Sequence, residues 1–271
     1  RRESRYRQPG RSVRFPPLTA RWEGFSFPRI SLSSAPPFQP GGLMSVIIDT
    51  FIAPPCHDDI EILWQDEHLL LINKPSGLLS LSGKNPQNLD SVHYRLVQTF
   101  PGCTLVHRLD FGTSGLMVIA RNKAINAALC HQFSQRAVNK VYTALLCGHV
   151  EQDEGSVDAP IAKDPALFPL MTICAHTGKP ARSRYRVMER IDQDTTGPLT
   201  RVALTPETGR THQLRIHCQQ LGHPILGCDL YGGLKWPGAE DTPRLMLHAS
   251  ELHFIHPVSG ETMNIRHAAP F

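Results

Sequence analysis

The nonapeptide His107-Arg108-Leu109-Asp110-Phe111-Gly112-Thr113-Ser114-Gly115 places one carboxylate between a basic pair and a Gly-Thr-Ser-Gly turn. An Asp held at the tip of such a loop suits a nucleophile or a base. It also suits a plainer role, accepting the backbone N–H groups of its own turn. Two further segments carry residues of the same chemical character. Upstream lies Asn73-Lys74-Pro75-Ser76-Gly77-Leu78-Leu79-Ser80, and downstream lies Gly209-Arg210-Thr211-His212-Gln213-Leu214-Arg215-Ile216-His217.

Taken together and in this order, the three segments resemble the RluA family of pseudouridine synthases, which isomerise uridine in RNA. The resemblance runs from about Ile62 to about Pro257. The reaction breaks the N1–C1′ bond, turns the base and bonds C5 to C1′. It involves no redox change and no transfer to a second molecule, so neither a metal nor an organic cofactor is expected. A carboxylate must attack the nucleoside or take a sugar proton, and the uridine must leave its stack to enter a pocket.

The resemblance implies that Asp110 is the essential carboxylate, and it leaves nucleophilic attack and proton abstraction both open. It implies that Arg215 pairs with Asp110, where a guanidinium would keep a partly buried carboxylate ionised. Tyr142, in Asn139-Lys140-Val141-Tyr142-Thr143-Ala144, matches a K-x-Y strand motif whose ring packs on the target uracil. Arg108 matches the residue that fills the gap left by the flipped base. Leu247, in Arg244-Leu245-Met246-Leu247-His248-Ala249, matches an apolar wall of the uracil pocket. His107, Lys74, Arg210 and His212 are grouped with the substrate-binding residues. For His107 loop support is the competing role, and for Lys74 it is a buried structural charge. One position departs from the family pattern: Cys228, followed by Asp229, stands where an Asp is usual, while Tyr231 keeps its place.

The elements that must position these residues are α+β in character. The implied fold is that of the pseudouridine synthases, a central mixed and mostly antiparallel sheet flanked by helices, with an active-site cleft. Strands are expected at 62–64, 69–72, 115–120, 140–150, 182–189, 201–205, 245–247 and 251–255. Helices are expected over 91–100, over 122–136 with Asn122 as cap, and over 211–221 closed by Gly222. Asp194-Thr195-Thr196-Gly197-Pro198 reads as a turn. No internal repeat is visible.

Composition bounds the rest. Residues 1–43 hold seven Pro and eight Arg against Glu3 and Glu23, so a chain of net charge +4 has a body of net charge −2. RNA affinity must therefore come from local basic patches. The leader reads as disordered, preceding a plausible start at Met44 and a catalytic domain over 44–271. Residues 1–60 are too proline-rich for the small S4 RNA-binding module of many relatives. That points to the compact members, which act on tRNA anticodon stem-loops, large-subunit rRNA or both. No apolar run is long enough for a membrane span. Seven cysteines without a CxxC pair suggest free thiols in a cytoplasmic protein, and a monomer is expected.

Three other signals carry little. Gly77–Lys84 has the wrong glycine spacing for a phosphate loop. His212 and His217, five apart on a helix, face apart and do not share a metal. Arg182, Arg184 and Arg186 share one face of a strand, with Arg190 just beyond, and suit either phosphate contact or a solvated edge. The alternative to an isomerase is a non-catalytic RNA-binding or RNA-folding protein on the same scaffold, which has no use for Asp110, Tyr142 and Arg215 together. A hydrolase using Asp110 lacks a defined acid–base partner.

Overall fold

The computed structural model describes residues 51–164, 166, 167, 169–192, 197–232, 236 and 242–271. The expected leader over 1–43, Met44 and the turn residues 194–196 lie outside them.

The first strands are β1 (Glu61–Gln65) and β2 (Leu69–Lys74), a hairpin closed by Asp66, whose carboxylate accepts from the His68 and Leu69 N–H groups. Helix α1 (Val92–Thr99) is capped by Ser91 and buries Val92 and Leu96. After the short β3 (Thr104–Leu105) comes β4 (Ser114–Ala120), buried at every residue. Such a continuous apolar run marks a strand covered on both faces. Helix α2 (Lys123–Ser134) follows with Asn122 as its cap, as expected, and packs Ile125 and Leu129 inward.

The second half comprises β5 (Asn139–Cys147), β6 (Glu154–Asp158), β7 (Ile161–Lys163), β8 (Met171–Ile173), β9 (Arg182–Ile191) and β10 (Leu199–Pro206). Helix α3 (Gln213–Gln220), β11 (Leu247–Ile255) and β12 (Thr262–Arg266) complete the order. Among the described residues, ten strands form one sheet in the order β1-β2-β4-β11-β5-β10-β9-β6, with β12 on β11 and β3 on β4; β7 and β8 form a separate pair. All named pairs are antiparallel except β4 with β11, which run parallel at Ser114–His248 and Gly115–Ala249.

The mixed, mostly antiparallel sheet matches the expected class. Several boundaries differ. Strand β11 is continuous where two pieces are expected, because its register shift between Ala249 and Glu251 hides a bulge that breaks the sequence alternation. Helix α3 starts two residues late, since His212 sits in the left-handed region at φ 54°. Helix α2 stops at Ser134 because Arg136, also left-handed at φ 56°, closes it: Ala137 N–H reaches Gln132 C=O and Arg136 N–H reaches Phe133 C=O.

Candidate active site

A cavity of about 650 Å³ opens between the loop after β3, the turn after α2, strand β5 and the start of α3. Asp110, Tyr142, Arg215, Arg108, His107, Arg210, His212 and Leu247 all line it, so eight of the nine residues singled out in the sequence converge. Lys74 is the exception.

The Asp110 loop is held from behind by the segment after β2. Ser80 Oγ donates to Leu109 C=O at 2.7 Å and accepts from Leu109 N–H at 3.1 Å. Ser76 Oγ donates to Gly112 C=O at 2.7 Å, and Gly77 N–H donates to Phe111 C=O at 2.9 Å. Lys74 is fully buried, and its ammonium donates to the carbonyls of Pro75, Leu78 and Phe111 at 2.9, 2.7 and 3.2 Å. Burial pulls its pKa down to about 7. The substrate-binding assignment of Lys74 is thereby corrected: an ammonium with three carbonyl partners and no exposure cannot reach a phosphate.

At the loop tip only the Asp110 backbone is engaged, its C=O accepting from Thr113 N–H at 3.1 Å. Its carboxylate makes no hydrogen bond or ion pair within the described residues. This is not the arrangement of an Asp that satisfies its own turn. Tyr142 faces the same space from β5. Because Leu247 pairs with Ala144, Tyr142 and Leu247 share one face of the sheet. Burial first, then the charge of Asp110, pushes the Tyr142 phenol above its ordinary pKa, so it stays protonated at neutral pH.

Arg215 differs from expectation in its direct partners. Its Nε–H donates to Cys228 Sγ at 3.3 Å and an Nη2–H donates to Asp229 at 2.5 Å, with the guanidinium 5.5 Å from the Tyr231 ring centre. Asp110 is not within ion-pair distance among the described residues, though its charge acts on Arg215 across the cavity. Burial opposes the Arg215 charge, but Cys228, Asp110 and Asp229 outweigh it and raise the pKa. The position where the sequence departs from the family pattern is therefore the seat of this arginine, and the neighbouring Asp229 supplies the carboxylate.

His107 supports the loop while lining the cavity. Its Nε2 accepts from Val118 N–H at 3.1 Å, and the ring stacks on Phe133 at 4.8 Å between centres. Burial holds its pKa down at about 3, with Lys140 adding to the effect. Arg210 donates to Pro180 C=O at 3.0 Å, while Arg108 stands exposed at the cavity edge.

Sequence reasoning missed three contributors. Gln213 is buried and ties the loop before α3: its Oε1 accepts from Thr208 Oγ1 and Arg210 N–H, and its Nε2 donates to Arg182 C=O and Ser183 Oγ. It lay inside a recognised motif, but its bonds are all tertiary. Arg136 and Lys140 also line the cavity, Arg136 on the turn after α2, whose sequence shows no motif, and Lys140 on β5, inside the K-x-Y motif read only for its tyrosine. With Arg108, Arg210 and Arg215 they make five cations against Asp110 and Glu207. The positive field that the body as a whole lacks is thus concentrated here.

The arginine row of β9 is different. Arg182 and Arg184 both bridge Glu207 at 3.6 and 2.9 Å, and Arg190 bridges Asp153 at 2.7 Å. Glu154 pairs in register with Arg186 and Asp158 with Arg182. The face is charge-balanced, which favours the solvated-edge reading over a phosphate track. All seven cysteines are free thiols. Within the described residues no cluster of three His, Cys, Asp or Glu forms a metal-type group, and no helix is long and apolar enough to cross a membrane.

Comparison with known proteins gives a consistent result. Residues 68–220 match the family described as RNA pseudouridylate synthase. The chain is 45% identical over 206 residues to the dual-specificity RNA pseudouridine synthase RluA of Vibrio parahaemolyticus, covering 76% of this chain and 82% of that protein. It is 43% identical to the protein of the same name from Escherichia coli K12, covering 80% and 97%. Among solved structures it resembles human RNA pseudouridylate synthase domain containing 1, with a TM-score of 0.67, 32% identity and coverage of 80% and 86%.

Proposed function

The chain belongs to the RNA pseudouridylate synthase family, and from that membership we propose which RNAs it modifies and how its residues divide the work. It is an isomerase that converts uridine in RNA to pseudouridine. Its substrates are two, large-subunit rRNA and the anticodon stem-loop of tRNA, a reading supported by its similarity to dual-specificity enzymes. Such a target is read as a loop shape with the base splayed out.

One observation carries the assignment of roles. Asp110 presents a carboxylate that is unpaired among the described residues to a strongly cationic cavity, opposite the protonated Tyr142. The cations draw in the RNA backbone. Arg108, exposed at the edge, takes the place of the flipped base. The uracil packs between Tyr142 and Leu247, and the Arg215 charge and that of Asp110 act on each other across the cavity. Asp110 then attacks C1′ or removes the C2′ proton, and the N1–C1′ pair of electrons leaves with the base. After the base turns, C5 bonds to C1′ as the Asp110 carboxylate leaves that carbon, or as Asp110 returns the proton to C2′, and C5 then loses its hydrogen. Residues 44–271 form the catalytic unit, working in the cytoplasm as a monomer. Free thiols support the reducing compartment.

Tritium release from RNA carrying 5-tritiated uridine tests the reading, with tRNA and large-subunit rRNA assayed separately. Release from both by the wild type, and from neither by Asp110→Asn despite retained RNA binding, is expected. Wild-type protein that binds both RNAs and releases no tritium would overturn it in favour of a binding protein.

A further inference from the structure

Two residues other than glycine have positive φ among the described residues, Arg136 at 56° and His212 at 54°, and both line the cavity. A left-handed backbone at a bulky residue is a strain that persists where the surroundings impose it, commonly at functional sites. His212 is the more constrained, because its ring is held as well as its backbone.

The hold fixes where the ring proton lies. Tyr231 is buried, and its phenolic oxygen accepts from Met171 N–H at 2.9 Å. The same oxygen lies 2.9 Å from His212 Nδ1. A backbone N–H can only donate, so the Tyr231 O–H hydrogen is left to donate in turn, and Nδ1 is the acceptor beside it. The opposite tautomer would place two donors on the phenolic oxygen and leave a buried O–H without an acceptor, which is disfavoured. With Nδ1 as acceptor, the neutral imidazole carries its proton on Nε2. That nitrogen has no hydrogen-bond partner among the described residues.

We infer that His212 is a catalytic residue that presents a neutral Nε2–H to a carbonyl oxygen of the flipped uracil and stabilises the base as it departs. The inference rests on the pseudouridine synthase reading. When N1–C1′ breaks, its electron pair passes to the base and spreads from N1 onto the carbonyl oxygens. Asp110 meanwhile bonds C1′ or holds the C2′ proton. The charge is gone once C5 has bonded to C1′ and released its proton. A fixed donor aimed at such a transient charge is worth most when it needs no reorganisation, and a neutral imidazole can fill that role. Burial keeps the ring neutral, against the pull of Asp110 and Asp229 and with the help of Arg215 and Arg108. His212 transfers no proton, so the proton balance of the reaction is unchanged by it.

Two measurements on the full chain test this. Nitrogen-15 NMR of histidine-labelled protein, with His212 identified by its loss in His212→Asn, is expected to show the Nε2–H tautomer. Tyr231→Phe is expected to release that preference. An Nδ1–H tautomer in the wild type overturns the inference whatever the variants do. Single-turnover pseudouridine formation on an anticodon stem-loop is expected to slow by about 10²-fold in His212→Phe, with RNA affinity unchanged, and to recover substantially in His212→Gln. Unaltered turnover in His212→Phe overturns the inference while leaving the enzyme reading intact. A wild type that forms no pseudouridine overturns both.

Discussion

The hydroxyl of Ser80 engages both backbone polar groups of Leu109, donating to its C=O at 2.7 Å and accepting from its N–H at 3.1 Å. One side chain on a neighbouring loop thus fixes the peptide units immediately before Asp110. Lys74 does the same two residues later through Phe111 C=O at 3.2 Å. The loop that carries the reactive carboxylate has its backbone held from behind, and among the described residues nothing engages the carboxylate in front.

Removing either support has a defined cost. Ser80→Ala strands both buried groups of Leu109 and is expected to destabilise the fold by about 1–3 kcal/mol. It is also expected to lower kcat by about tenfold to a hundredfold through misplacement of Asp110. Lys74→Met strands three carbonyls and is expected to cost about 3 kcal/mol or more. Urea denaturation and single-turnover rates check both, and a Ser80→Ala enzyme with wild-type kcat would refute the clamp.

Acid should weaken the fold through two histidines. Burial holds His107 down at about 3 and His248 at about 4, against a usual 6.5 in the unfolded chain. Above 6.5 neither state holds the extra proton, and the full stability is present. As pH falls from 6.5 towards 4, the unfolded chain takes up protons that the folded protein refuses, so stability is lost. The expected slope is about 1.4 kcal/mol per pH unit for each histidine. Urea midpoints measured across that window give the slope, and His107→Gln should reduce it.

Arg215 has two anchors of unequal weight. Asp229 has a side chain 80% exposed, so water screens its ion pair. Cys228 is buried and holds Nε. Asp229→Asn is therefore expected to lower kcat less than tenfold, whereas Arg215→Lys, which loses the planar fork, is expected to lower it about 10²-fold. Steady-state kinetics of the two variants side by side decide the ranking.

RNA affinity should separate the two groups of arginines. Arg136→Ala is expected to weaken binding and to reduce the salt slope by about one. Arg186→Ala, on the charge-balanced face of β9, is expected to change affinity less than twofold. Binding titrations at several salt concentrations distinguish them, and equal slopes for both variants would contradict the assignment of the cavity as the phosphate-binding surface.

What was legible in the sequence was local. The unbroken apolar run of β4, the Asn122 cap and Gly222 closing α3 all act through bonds within a few residues, and each stands where expected. Strand β12 alternates too, but Thr262–Arg266 is short and polar and becomes a strand only by pairing with β11. The site residues could be named from motifs, yet their contacts could not. Whether Lys74 faced a phosphate or a carbonyl depended on which loop folded over it. That Arg215 rests on Cys228 and Asp229 depended on a turn thirteen residues away.

The placement of β11 has a consequence for the timing of assembly. It lies between β4, which follows the Asp110 loop, and β5, which carries Tyr142, and these two never pair with each other. A growing chain therefore makes both halves of the active site long before it makes the strand that joins them. Until residues 247–255 have been synthesised and have slid into that gap, Asp110 and Tyr142 belong to separate pieces of sheet. A nascent chain stalled before that point should bear every one of the motif residues that precede the strand and still be inert.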